Sequence, residues 1–77
     1  PVRQRLSAEL LRLSRPRAGS VEARIVSPPP VQQDLAARIG ARREVVSREL
    51  AEMARQGLIE KVRGGIVIPH PEALARA

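Results

Sequence analysis

Residues 31–57 read VQQDLAARIGARREVVSRELAEMARQG, and this stretch decides the fold. Val31, Leu35 and Ile39 recur at i, i+4 and i+8, so 31–39 is expected to be a short helix with these three side chains inward. Asp34, near its start, suits the positive end of a helix. Gly40 follows as a left-handed terminator. A second helix is expected from Arg42 to Gln56, with Val46, Leu50 and Met53 forming its apolar stripe, Ala54 widening it and Gly57 closing it. Arg43, Glu44, Ser47 and Arg48 all fall away from that stripe.

Downstream, Leu58 to Arg63, then Gly64-Gly65, then Ile66 to Ile68 read as a β-hairpin, the two glycines supplying the positive φ angles of a two-residue turn. Pro69 ends the strand, and Glu72 to Arg76 is expected to be a frayed terminal turn. Upstream, Val2, Leu6, Leu10 and Leu13 mark an amphipathic helix over 2–14 that stops before Pro16. Arg15 to Ser20 reads as a turn-rich connector, and Arg24, Ile25 and Val26 as a small strand. Pro28-Pro29-Pro30 stops that strand and leads into the helix at 31. The expected fold is mainly α with a small antiparallel β-sheet. It forms one domain over 1–77, with a helix-turn-helix at 31–57 and a wing at 58–68, the winged helix-turn-helix layout.

Composition narrows the class of partner. The 77 residues are 43% hydrophobic, with no aromatic residue and no Cys. The core is therefore aliphatic, and neither a disulfide nor a thiolate metal site can form. An intracellular, cytoplasmic home fits that chemistry, and no apolar run is long enough to cross a bilayer. The net charge is +6, and all but one of the 14 basic residues are Arg. Such a balance suits a polyanion, because neutralised phosphates release counterions. The charge is not concentrated on the helix pair, however. Residues 1–30 carry six Arg against two Glu, and residues 31–57 carry five Arg against four acids. Single-strand and RNA modules stack bases on aromatic rings, so an aromatic-free chain favours duplex DNA.

The polar face of the second helix carries the chemistry. In a major groove, Arg43 and Arg48 can pair bidentately with guanine O6 and N7, and Glu44 can accept from cytosine N4. A half-site containing G and C is expected. Glu44 lies one turn before Arg48 and can orient its guanidinium. The alternative is an ordinary exposed ion pair, which many helices show. Lys61 and Arg63 flank the wing, either as phosphate contacts or as edge-strand charges that deter aggregation. Gln32 and Arg38 are further candidates. The Arg residues between 3 and 24 read as solvated surface, or as a contact to another domain.

Three segments carry a family resemblance: Gln33 to Gly40, Arg43 to Arg48, and Gln56 to Ile59. With the Leu-rich first helix, the Ile25-Val26 strand and the Gly65-Ile66-Val67-Ile68 wing, they resemble the C-terminal domain of Crp/Fnr transcription regulators over nearly the whole chain. The resemblance implies sequence-specific binding of double-stranded DNA, with Arg43, Glu44 and Arg48 touching bases. It places Gln33 against phosphate, beside the separate phosphate candidate Gln32. Arg42 stands where the family often has Ser or Thr, which makes it a charged phosphate contact. Val45 stands where the family often has Thr, so one backbone contact is lost or becomes apolar. Val45 and Ser47 are thus base or backbone contacts. The first residue is Pro1 rather than Met, and the expectation is a fragment. By resemblance, a sensor domain and a dimer helix precede it, and the parent is a homodimer on half-sites about one helical turn apart. No cofactor or small-molecule ligand is assigned to this part.

Two other classes compete. A GntR-like regulator would pack a helix, rather than a strand, directly before Val31. A winged helix used only to dock proteins would present an apolar outer face over 42–56. An enzyme is not expected: His70 is the only His, and nothing sets it beside a nucleophile or a metal.

Overall fold

A computed structural model describes all residues, 1–77. Four helices and four strands follow one another as α1 (Val2–Leu13), β1 (Arg15–Pro16), β2 (Arg24–Val26), α2 (Gln32–Ile39), α3 (Arg43–Arg55), β3 (Glu60–Val62), β4 (Gly65–Ile68) and α4 (Pro71–Arg76). The strands form one antiparallel sheet in the order β1-β2-β4-β3. This is a winged helix-turn-helix. A strand, not a helix, leads into α2, which removes the GntR-like alternative.

The aliphatic stripes do what their spacing predicts. Leu6 and Leu10 of α1, Leu35, Ala36 and Ile39 of α2, and Val46, Leu50 and Met53 of α3 meet in one core. Val26, Ile59, Ile66 and Ile68 from the sheet side and Leu74 of α4 complete it. Leu74 is fully buried, so the terminal turn expected to fray is instead a helix docked on α1. One residue expected inward is not. Val31 is 62% exposed, because it caps α2 in an extended conformation (φ −69°, ψ 130°) rather than forming its first turn. Ala36 takes its share of the inner stripe.

The helix-turn-helix corner depends on Gly40. It ends α2 in the left-handed region (φ 71°), and the next amide, Ala41 N–H, bonds back to the Ala36 carbonyl at 2.9 Å. A side chain at this φ would be strained, which is why the turn uses glycine.

The connector at 15–20 holds a strand that the turn-rich composition conceals. Arg15 pairs with Ile25, and Pro16 with Arg24, at the sheet edge, where proline's missing N–H costs no ladder bond.

The wing turn also differs from expectation. Its central residues are Arg63 and Gly64, and only Gly64 has positive φ (81°). Gly65 pairs with Val62 inside β4. Its lack of a side chain serves packing: a Cβ there would lie 2.9 Å from the Val26 carbonyl oxygen and 3.2 Å from the Ile25 side chain. Gly65→Ala should therefore force β2 and β4 apart and destabilise the domain by about 1–3 kcal/mol. A thermal melt followed by circular dichroism would read this, and an unchanged midpoint would refute the packing argument.

Candidate nucleic-acid interface

The structure sorts the 14 cations into two groups. Arg3 pairs with Glu49, Arg12 and Arg38 with Glu9, and Arg55 with Glu52. Arg5 donates to the Ile39 carbonyl, Arg15 to the Ser27 carbonyl, and Arg24 to the Ser14 hydroxyl and carbonyl. Among the Arg residues between 3 and 24, Arg5, Arg12, Arg15 and Arg17 are exposed, as expected of solvated surface, yet Arg17 alone has no partner within the chain. The unpartnered set also includes Arg42, Arg43, Arg48, Lys61, Arg63 and Arg76. Five of these seven lie on the cap and outer face of α3 and on the wing, a concentration that raw charge counts hide.

Packing explains the exposure of the α3 residues. Val46, Leu50 and Met53 are at most 1% exposed and fix the roll of the helix. Glu44 and Arg48 consequently stand exposed; Arg43, three residues before Val46 and seven before Leu50, does not fall away from the stripe as expected and is exposed because it opens the helix, while Val45 and Ser47 are half-buried beside them. Arg42 is the extended N-cap of α3 (φ −82°, ψ 149°) and not its first turn. The expected Glu44–Arg48 contact is not formed: neither side chain makes an ion pair or hydrogen bond. An exposed pair of this kind gains too little in water to hold two long side chains in register. No side chain caps the N-terminus of α2 or α3, which leaves amide donors at both.

The wing and α2 face each other across an open cleft of about 230 Å³. Gln32, Pro29 and Pro30 line one wall, Lys61, Val62 and Gly65 the other, with Leu50 and Ile66 also lining it. Gln33 is exposed on the first turn of α2. Ser27 Oγ donates to the Gly64 carbonyl at 2.9 Å and ties the wing turn to the end of β2. Arg63 is exposed on that turn.

Two of the paired acids titrate differently from an ordinary carboxyl. A hydrogen bond from Arg12 holds the Glu9 carboxyl below its ordinary pKa, and one from Arg55 does the same for Glu52. Because both are depressed, their contribution to stability is complete at neutral pH and is lost as pH falls through the carboxylate range.

Residues 4–77 match the family described as the Crp-like helix-turn-helix domain. The chain belongs to that family. Among solved structures, this Crp-like domain is similar to TTHA1359, a CRP/FNR-family transcriptional regulator from Thermus thermophilus. The identity is 26% and the TM-score 0.72, over 100% of this chain and 41% of that one. It also resembles oxidized CprK in complex with o-chlorophenolacetic acid, at 24% identity and a TM-score of 0.71, over 96% of this chain and 30% of that one. A further CprK structure (C200S, OCPA-complexed) gives a TM-score of 0.77 at 22% identity, over 97% of this chain and 36% of that one. No curated protein matches by sequence. The Crp-like domain spans well under half the length of these structural relatives. It is a DNA-binding output domain of the transcription-regulator type.

One arrangement in the Crp-like domain has no signal in the sequence. Arg3 and Arg5 reach from α1 to α3 and to the helix-turn-helix corner. Their partners lie 34 to 53 residues away, and no local spacing announces such contacts. No grouping of three or more His, Cys, Asp or Glu side chains is placed to hold a metal ion, and no helix is long and apolar enough to cross a membrane.

Proposed function

We propose that this domain reads double-stranded DNA in a sequence-specific way, with α3 in the major groove and the wing against the backbone. The supporting observation is the segregation of unpartnered cations onto α3 and the wing while other arginines are consumed internally. Arg43, Glu44 and Arg48 read bases, favouring a half-site that contains G and C. Val45 and Ser47 touch bases or backbone beside them. Arg42, Gln33, Gln32, Lys61 and Arg63 meet phosphates, aided by the uncapped helix starts. The domain is a binding module rather than an enzyme, needs no cofactor of its own, and works in the cytoplasm as the output part of a longer homodimeric regulator.

A docking module for proteins would carry an apolar outer face on α3. The exposed large hydrophobic residues of this chain are Val21 and Val31, and neither lies on that helix. The test is a duplex titration across salt concentrations. With about three to five phosphates neutralised, log Kd should rise with log salt at a slope of about 3 to 4.5. No binding at low salt would favour the docking alternative.

A further inference from the structure

We propose that Arg3 is a positioning residue for the readout helix, acting through Glu49 and Gln56 without touching DNA; the functional part of this rests on the DNA-binding reading above. Arg3 Nε donates to Glu49 Oε1 at 2.8 Å, and Arg3 Nη1 donates to Gln56 Oε1 at 2.8 Å. One planar guanidinium therefore ties together the side chains of Glu49 within α3 and Gln56 at its C-cap, residues whose backbones stand seven positions, or about 10 Å, apart along the axis. Gln56 is itself held, since its Nε2 donates to Glu52 at 3.0 Å and Glu52 pairs with Arg55. The Arg3–Glu49 pair is partly shielded, at 26% and 29% exposure, unlike the other arginine pairs, each of which has a guanidinium more than half exposed.

Two facts make this grip consequential. First, α1 packs chiefly on α2, α4 and β2 and touches α3 less than any of these, so the guanidinium is the principal polar tie between α1 and α3. Second, Glu49 and Gln56 lie about 140° around the helix from the outward face of Glu44, Ser47, Arg48 and Ala51. Arg3 thus holds the far flank and the C-terminal half of α3, while readout occurs at the N-terminal half. Across a lever of about 15 Å, a tilt of about 5° moves the reading side chains by more than about 1 Å, enough to spoil bidentate hydrogen bonds.

Charge gives the test its edge. Glu49→Gln raises the net positive charge, so simple electrostatics would strengthen DNA binding. If Glu49 serves to hold Arg3, the same change weakens it. Arg3→Gln, Glu49→Gln and the double swap R3E/E49R would be compared on the duplex that the wild-type chain selects from a randomised pool. Circular dichroism would verify folding, and amide shifts would be recorded without DNA. The expected result is about a tenfold loss for each single variant, with an unchanged salt slope, shifted amides at residues 43–48, and substantial recovery in the swap. Tighter binding by Glu49→Gln would overturn the proposal, as would unmoved amides at 43–48. A salt slope lowered by about one in Arg3→Gln would overturn it too, by showing that Arg3 itself meets phosphate. Should the wild-type chain select no duplex, the DNA reading fails, while the amide shifts still decide whether Arg3 positions α3.

Discussion

Arg43→Ala should weaken binding to the preferred duplex by about 10- to 100-fold and flatten the preference at one base position, while leaving thermal stability nearly unchanged. Stability is spared because the side chain is exposed and makes no hydrogen bond or ion pair within the domain. Affinity is not spared, because a forked guanidinium can meet guanine O6 and N7 together, and alanine replaces neither bond. Arg43→Lys should recover part of the affinity but little of the preference, since an ammonium is a point charge without the fork. The same reasoning applies to Arg48. Competition assays with duplexes altered one base pair at a time would read both quantities. An unchanged base preference in Arg43→Ala would remove that residue from the readout and leave it a phosphate contact at most.

Leu50→Ala should act in the opposite sense, destabilising the fold rather than altering the recognition surface. Leu50 is 1% exposed, sits in the inner stripe of α3 and lines the cleft beneath the wing. Removing its side chain from such a site costs about 2–5 kcal/mol. A domain of this size has about 4–12 kcal/mol of total stability. With no aromatic side chain in the core, few bulky neighbours can collapse into the space. The expected fall in melting temperature exceeds about 10 °C, and DNA binding should decline in step with helical signal. A well-folded Leu50→Ala variant would mean that α3 is seated by contacts other than its aliphatic stripe.

The contrast between these two substitutions follows what is legible in the chain. The helix pair, its glycine corner and the outward place of Glu44 and Arg48 can all be read there, because a helix face is set by residues three and four apart; Arg43 is outward only because it opens the helix. The core stripe of α3 and the strand at 24–26 are equally local. Val31 departs from its expected inward place because periodicity cannot say at which residue a helix starts. Val31 stays extended as the N-cap, one residue short of α2. Gly64 and Gly65 look alike in a turn-sized pair, yet one answers a backbone angle and the other a neighbouring strand. The β1 strand is invisible because two residues ending in proline form a strand only when a partner already lies alongside.

The chain's own order of residues, then, determined the elements, the buried face of each helix and the polar set that α3 turns outward. These depend on interactions spanning a few residues, which recur wherever the local pattern does. Which charges remain free was decided only by the tertiary structure. Arg3, Arg5, Arg24 and Arg38 look like surface cations in one dimension, and each finds its acceptor through a chain reversal. Pairing of that kind depends on distance in space, to which sequence separation is blind.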